Sequence, residues 1–318
     1  MTRISIIIVS WNTKRLLERC LESVFGSACA CDLEVLVVDN GSSDGSPEMV
    51  ASRFPSVHLV AESENLGFAR ANNLAMDSAT GDYLLFLNPD TELLGTALAE
   101  MVRYAEEHPD VAVVGPQLLN SDGSLQSSRR RFPTRASAFL ESTVLQRWLP
   151  THPALRHLYA LDAADDQIQE VDWVVGAGFL VNAQAARQVG KMDEGYFMYS
   201  EELDWCRRFK AAGWKVVYLP TAKLVHHGGQ SSGQDLLHRH IRFQHSKCRY
   251  FEKYHGRSFA QLLRVFLLAN YLFLLAEDLA KLLLLRRNRS MRRRRIGTLA
   301  RVVAWQIRWV ARWGAVTP

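Results

Sequence analysis

Gly81-Asp-Tyr-Leu-Leu-Phe-Leu-Asn-Pro-Asp-Thr-Glu-Leu-Leu94 is an apolar run that breaks off at Asn88-Pro89-Asp90. Tyr83 to Leu87 show no polar alternation, the pattern of a strand covered on both faces of a parallel sheet. Pro89 has no N–H for a central ladder, so the chain must leave the sheet there, carrying an amide and a carboxylate with it. Ligands of open α/β sheets bind at the carboxyl ends of the strands, which puts Asn88 and Asp90 where an ion or a phosphate would sit. Capping a helix expected from Gly95 is the other use of an Asn and an Asp at this point.

The same pattern recurs on either side. Ile4 to Val9 is a β-branched run ending in Ser10-Trp11-Asn12, and after Thr13 the residues Leu16, Leu17, Cys20, Leu21, Val24 and Phe25 recur at helical spacing. Leu33 to Val38 ends in Asp39-Asn-Gly-Ser-Ser-Asp-Gly-Ser46, a loop that offers backbone amides and the carboxylates Asp39 and Asp44, as nucleotide-binding loops and many idle loops do. Val57 to Val60 leads to Glu64-Asn-Leu-Gly-Phe-Ala-Arg-Ala-Asn-Asn73. There Gly67 opens a helix, and Arg70 in its first turns favours an anion, a surface ion pair being its other use. Downstream, a helix to about His108 and a strand at Val111 to Val114 complete a strand–helix alternation that predicts an α/β fold with a mostly parallel, doubly wound sheet.

Ser121-Asp-Gly-Ser reads as a tight turn, Arg129 to Arg131 as a basic loop or lid, and the mixed segment from Thr134 to Asp166 as an excursion with a helix near Phe139 to Leu149. Val171 to Val181 returns to the sheet, with Gly176 and Gly178 leaving room for backbone to approach a ligand. In Phe197-Met-Tyr-Ser-Glu-Glu-Leu-Asp-Trp-Cys-Arg-Arg-Phe-Lys-Ala-Ala-Gly213, Ser200 is expected to cap a helix that Gly213 closes. Glu201, Glu202 and Asp204 then fall in the first turn, where the helix dipole keeps carboxylates ionised, as a general base must be. Surface charges that merely complement the dipole are the alternative. His226, at the end of a strand beside this acidic turn, is a metal-ligand candidate.

Taken in order, SIIIVSWN, VVDNGSSDGS, ENLGFARANN, LFLNPDTEL, GAGFLV, FMYSEELDWCRRFKAAGW and VHHGG resemble the family 2 glycosyltransferases with the A-type fold, and within them the rhamnosyltransferase-like members that build bacterial cell-surface polysaccharides. The resemblance covers roughly residues 1 to 232 and is specific as a set. It implies a Rossmann-like A-type glycosyltransferase fold and inverting transfer of a sugar, L-rhamnose, from a nucleotide-sugar donor (dTDP-rhamnose or a UDP-sugar) to a polyprenyl-linked saccharide acceptor. Mg2+ or Mn2+ is the implied cofactor.

Residue by residue, Asp39 falls where the family's aspartate bonds the nucleotide base, and Asn65 and Arg70 fall in the segment that lines the donor. Asp90 matches the last aspartate of the metal-binding DxD motif, Glu202 the catalytic base of the ED motif, and His226 a further metal ligand of some members. Ser10, Asn12, Asn40, Asp44, Gly67, Asn88 and Gly178 complete the expected donor-binding set. Two departures stand out. The DxD motif reads Asn88-Pro89-Asp90, leaving one carboxylate for the metal. The ED pair reads Glu201-Glu202, which adds a methylene and leaves the base to be assigned between the two.

With 48% hydrophobic and 22% charged residues over 318 positions, the chain is that of a folded protein with one large or two modest domains. Its net charge of +5 is segregated, because Arg286, Arg287, Arg289 and Arg292 to Arg295 share ten residues and the remainder is close to neutral or slightly acidic. Such a block points to a membrane or a nucleic acid. Phe259 to Leu285 is strongly apolar, yet its longest uncharged run, Val265 to Ala276, is shorter than the roughly 20 residues a bilayer crossing needs. Arg264, Glu277, Asp278 and Lys281 can share one polar flank, so a helix lying in the membrane interface is expected, a helical hairpin docked on protein being the alternative. Trp305, Trp309 and Trp313, four apart beside the arginines, favour lipid over RNA.

The expected division is a nucleotide-sugar-binding domain over 1–232 and a helical, membrane-associating extension over 233–318, with an anionic membrane surface and no nucleic acid among the partners. That places the protein peripherally on the cytoplasmic face of the cell membrane. The five cysteines have no CxxC spacing and read as reduced thiols, with no zinc site and no disulfide. The first apolar run is too short for a signal peptide and serves as the first strand. Two rivals carry the same features: a sugar-nucleotide nucleotidyltransferase, which would need a basic triphosphate-binding loop near the start that is not seen, and a non-catalytic membrane-docked nucleotide-sugar-binding protein.

Overall fold

The computed structural model describes residues 1–229, 232–285 and 288–311, in two compact units: Met1–Phe132 with His157–Ser231, and Pro133–Arg156 with Ser232–Pro318. The chain opens with β1 (Arg3–Ser10), α1 (Lys14–Phe25), β2 (Asp32–Asn40), α2 (Ser46–Arg53), β3 (His58–Glu62), α3 (Phe68–Ser78), β4 (Tyr83–Leu87), β5 (Thr91–Leu93) and α4 (Ala97–Glu107). It continues through β6 (Val111–Leu119), β7 (Leu125–Gln126), β8 (Arg129–Arg130), α5 (Arg135–Leu140), α6 (Val144–Trp148), α7 (Pro153–Leu158), β9 (Gln169–Val171), β10 (Trp173–Val174), β11 (Gly178–Asn182) and α8 (Ala183–Val189). It ends with α9 (Glu201–Ala211), β12 (Lys215–His226), α10 (Leu236–His255), α11 (Arg257–Leu284) and α12 (Arg289–Ala311).

The first unit carries a ten-stranded sheet in the order β3-β2-β1-β4-β11-β6-β12-β5, with β7 on β6 and β9 on β12. β3, β2, β1 and β4 are parallel, as are β6 and β12, while β11 and β5 run antiparallel to their neighbours. Alternate side chains of the central strands feed two separate cores, as a sheet covered on both faces requires. Ile4, Ile6, Ile8, Leu85 and Leu87 join Leu17 and Leu21 of α1 and Met101 of α4, whereas Ile7, Val9, Leu84 and Phe86 join Ala71 of α3 and Trp205 and Phe209 of α9. Each such side chain withdrawn from water contributes about 1.5–3 kcal/mol, which explains the near-absence of polar residues in these strands.

Several elements differ from the sequence reading. Pro89 does end β4, but the chain returns at once as β5, whose Thr91, Glu92 and Leu93 pair antiparallel with His226, Val225 and Leu224. This short strand, invisible as an apolar run, carries Asp90 to His226. The strand that leads to His226 is a single long one, β12, with a register slip between Leu219 and Lys223 around Pro220, which has no N–H for the ladder. The single helix expected near Phe139 to Leu149 is two, because Thr143 caps a new start by accepting from the Leu145 N–H. Cys29 and Cys31, expected as reduced thiols, are joined as a disulfide. Cys20, Cys206 and Cys248 are free and buried, and burial pushes each thiol up to about 12, so they are packing residues rather than nucleophiles.

The second unit packs α10, α11 and α12 with α5 and α6. Phe139 meets Phe259 and Phe266 edge-on at 5.6 and 5.0 Å, Asn270 Oδ1 accepts from the Val144 N–H at 2.9 Å, and Tyr271, Leu299, Val302 and Val303 form a small core. α11 is long and apolar enough, by length and composition, to cross a membrane, and it exposes Leu262, Val265, Leu272, Phe273, Leu279, Leu283 and Leu284. The Trp stripe is partly taken by protein: Trp305 and Trp309 stack at 4.7 Å, and the Arg264 guanidinium lies 4.5 Å over the Trp309 ring. Trp313, Arg286 and Arg287 lie outside the described residues.

Candidate active site

The carboxyl ends of β1, β2 and β3 open into three loops whose polar residues hold one another. Asp39 Oδ2 accepts from the Ser42 N–H at 2.8 Å, while its Oδ1 is buried with no hydrogen-bond partner. Burial raises this carboxyl above its ordinary value, against the pull of the Ser42 bonds. Asn40 Oδ1 accepts from the Leu66 N–H at 2.8 Å, and Asn40 Nδ2 donates to Asn65 Oδ1 at 3.1 Å and to the Gly67 carbonyl at 3.3 Å. Asn40 and Asn65 therefore fix the loop leading into α3. Asp44 is taken up by the N–H groups of Lys14 and Ser46, which start α1 and α2. Ser10 bonds Thr13 through their hydroxyls, and Asn12, at φ 50°, accepts from the Ser43 N–H. Arg70 lies exposed on α3. Of this expected set, Asp39 presents the buried open acceptor, and the others whose bonds are described shape the loops around it.

Asn88 builds the turn into β5: its N–H donates to the Ala177 carbonyl at 2.9 Å, and its carbonyl accepts from the Thr91 hydroxyl at 2.7 Å. Asp90 is buried, and its Oδ1 stands 3.4 Å from His226 Nε2. The other ring nitrogen, Nδ1, is 2.6 Å from Gln126 Oε1. Among the described residues there is no cluster of three or more His, Cys, Asp or Glu able to hold a metal. One carboxylate and one imidazole do not make a closed structural site, but they suit a divalent ion that completes its shell with phosphate oxygens and water.

α9 is pinned to the sheet by Trp205, whose ring meets Phe86 edge-on at 5.4 Å and whose N–H donates to the Gly190 carbonyl at 2.8 Å. Asp204 is fully buried rather than a surface charge, and pairs with Arg208 Nε at 3.0 Å. Ser200 does not cap through its side chain. It and Tyr199 both adopt left-handed backbone, at φ 67° and 72°, a conformation that costs of order 1–3 kcal/mol per residue and clusters at functional sites.

Beyond that bend, Glu202 Oε1 accepts from the Gly176 N–H at 3.4 Å, and the Oε2 atoms of Glu201 and Glu202 are buried without hydrogen-bond partners. Burial, and then the neighbouring charge of Glu202, pushes the Glu201 carboxyl well above the carboxylate range. Burial also raises Glu202, but the N–H groups of Glu202, Gly176 and Leu203 and the charge of Arg130 pull it back. Of the two, Glu201 is therefore pushed further toward the protonated form. Gly178 faces no open space, since a Cβ there would lie 2.6 Å from Leu224 Cδ2, so the glycine is required by core packing.

Sequence reasoning missed two contributors. Within the arginine run, Arg129 is buried on the Ala163 carbonyl at 2.7 Å and on Asp165, so it is an anchor and not a lid, whereas Arg130 is the one whose charge reaches Glu202. Gln126 reaches His226 from β7. Both arrive on short ribbons whose pairing, β8 with β10 and β7 with β6, leaves no periodic signal.

Residues 5–163 match the family model described as Glycosyl transferase family 2. Over 241 residues, the chain is 31% identical to the N-acetylglucosaminyl-diphospho-decaprenol L-rhamnosyltransferase of Mycobacterium tuberculosis, covering 72% of this chain and 78% of that one. It is also 31% identical over 169 residues to rhamnosyltransferase WbbL of Escherichia coli, covering 51% and 61% of the two chains. The structure of mannosyltransferase PcManGT from Pyrobaculum calidifontis, in complex with GDP-Man and Mn2+, superposes with a TM-score of 0.54 at 18% identity, covering 96% of this chain and 86% of that one. That last likeness establishes the fold.

Proposed function

This chain belongs to glycosyl transferase family 2, and on that premise we propose that it is an inverting rhamnosyltransferase that moves L-rhamnose from dTDP-rhamnose to a saccharide carried on a polyprenyl diphosphate. The relatives' printed activities support the sugar and the lipid-linked acceptor. The observation that carries the chemistry is a shared ledge: Gly176 bonds Glu202, and the adjoining Ala177 bonds Asn88, two residues before Asp90. A base and an ion-binding carboxylate thereby meet at one strand end.

In this reading Asp39 Oδ1, the buried acceptor without a partner, takes an N–H of the nucleobase. Asp90 and His226 would hold Mg2+ or Mn2+, which would offset the charge that develops on the leaving diphosphate. Glu202 Oε2 accepts the proton of the acceptor hydroxyl as its oxygen bonds the anomeric carbon and the bond from that carbon to the diphosphate oxygen breaks. Such general-base assistance is worth roughly 10²- to 10⁴-fold. With Glu202 acting as a base on the acceptor hydroxyl, which attacks the anomeric carbon directly, the displacement is single, hence inverting. The apolar residues exposed along α11 and the arginines of α12 support peripheral attachment to the cytoplasmic face of the membrane, where a polyprenyl-linked acceptor resides.

The test is transfer by the full chain from dTDP-rhamnose, or from a UDP-sugar in parallel, to a polyprenyl-diphosphate-linked saccharide, with the product anomer read by NMR. Glu202→Gln should lose transfer and keep donor binding. Full turnover by that variant would put the base elsewhere.

A further inference from the structure

The turn Asn120 to Ser124, set apart in the sequence only as a tight turn, lies behind the proposed metal ligands and carries a relay of hydrogen bonds whose polarity can be worked out from one end. Asp122 carries a carboxylate, which only accepts, and bonds from the Ser124 hydroxyl and N–H hold it below its ordinary value. The Ser124 hydroxyl, 2.6 Å from Asp122 Oδ1, must therefore donate its single proton there and can only accept from Asn120, whose side-chain nitrogen is 2.9 Å away. That orientation turns Asn120 Oδ1 toward Gln126, whose Nε2 donates to it at 2.9 Å and also reaches the His226 carbonyl at 3.4 Å. Gln126 is thus oriented with Oε1 toward His226 Nδ1 at 2.6 Å. An amide oxygen only accepts, so Nδ1 carries the hydrogen, and in the neutral ring Nε2 keeps its lone pair 3.4 Å from Asp90 Oδ1.

In the neutral ring the carboxylate oxygen and the Nε2 lone pair face each other across 3.4 Å, the arrangement of two donors converging on a cation. We propose that Gln126, set by the Asn120–Ser124–Asp122 relay, is a positioning residue that locks His226 in the Nδ1–H tautomer and so commits Nε2 to the divalent ion. The backbone supports the same end. β7 pairs with β6 only at Leu118↔Gln126 and Leu119↔Leu125, and Gly123, at φ 80°, closes the turn that folds it back. Partners of this kind, bonded to the distal nitrogen of a ligating histidine, fix ring orientation and raise ligand basicity. The inference rests on the metal reading of Asp90 and His226 given above, and its test separates the two.

The experiment uses the full chain and two readouts apart from turnover: 15N NMR of the His226 ring without metal, and Mn2+ affinity in the presence of dTDP by electron paramagnetic resonance. Wild type should show the Nδ1–H tautomer. Gln126→Leu should lose that preference and bind Mn2+ about 10–100-fold more weakly. Gln126→Glu, which also accepts from Nδ1–H, should restore both. Asp122→Asn, a change at an exposed turn, should weaken Mn2+ in the same direction with the fold intact. If Gln126→Leu leaves tautomer and affinity unchanged while His226→Ala loses Mn2+, the relay has no role. If His226→Ala binds Mn2+ as wild type does, the metal assignment falls and takes the relay with it.

Discussion

The Phe68 N–H donates to the Phe197 carbonyl over 2.6 Å, tying the loop that contains Asn65 to the loop that launches Glu201 and Glu202. The contact is close enough that residue 67 has no room for a side chain. A Cβ on Gly67 would meet the same carbonyl oxygen at 2.6 Å, and its backbone, at φ 88° and ψ 168°, lies in a region essentially reserved for glycine. Gly67→Ala should cost about 1–3 kcal/mol from the backbone alone. It should also raise the donor KM and lower kcat together, because one strained peptide serves both loops. Urea unfolding with an unchanged midpoint would show that the two loops are not tied in this way.

The acid limb of the rate profile should report Glu202. Its carboxyl is raised by burial, so the limb should fall above pH 4.5, with activity lost as the pH drops through the raised value and the base takes up its proton. Arg130 opposes that shift. Arg130→Gln should therefore move the limb to higher pH while leaving the plateau rate within a few fold. A limb that stays where it was, measured as kcat/KM between pH 4 and 9, would remove Arg130 from the electrostatics of the base.

Glu201 gives a stability test of opposite character. Its folded-state proton affinity is raised by burial and by Glu202, so the folded protein holds the proton where the unfolded chain has released it. Stability from this group is fully present below pH 4.5 and is lost as the pH rises through the folded value. Glu201→Gln, which mimics the protonated form, should raise the melting temperature at pH 8 by at least about 2 °C and leave it unchanged near pH 4. Scanning calorimetry at the two pH values decides, and a gain of the same size at both would contradict the assignment of the proton to Glu201.

Where the sequence was legible, one physical signal was responsible. Continuous apolar runs marked β1, β2, β4 and β11, and the polar residues at the ends of β2 and β4 marked Asp39 and Asp90, because a strand buried on both faces can change to polar only where it leaves the sheet, whereas Glu202 was marked by the acidic first turn of α9. What stayed hidden is non-local. β5 is three residues long, and only its pairing with β12 shows that Asp90 and His226 are neighbours. Gly178 looked like a ligand contact because sequence cannot show Leu224 behind it. For Asp204 the sequence left a surface charge as one of two uses, and its burial against Arg208 follows from how α9 docks. The tryptophans of α12 look like a lipid face from their spacing, yet the Trp309 ring is covered by Arg264, a contact that spacing cannot show.

Membrane attachment is predicted to use the end of α11 and the start of α12. Leu283 and Leu284 are 83% and 81% exposed, and Arg293 and Arg294 are exposed on the next helix. A leucine moved fully from water into hydrocarbon contributes roughly 1.5–3 kcal/mol, and an arginine near an anionic leaflet about 1 kcal/mol. The two contributions separate by salt, since exposed charges are screened over about 10 Å at 0.1 M ionic strength and apolar contacts are not. Leu283→Asp with Leu284→Asp should therefore reduce co-sedimentation with phosphatidylserine-containing vesicles by at least about tenfold at every ionic strength. Arg293→Gln with Arg294→Gln should reduce it by about tenfold at low salt and little at 0.5 M. If both double variants sediment with vesicles as wild type does, this corner of the helical unit does not meet the membrane, and the exposed leucines must be covered by protein.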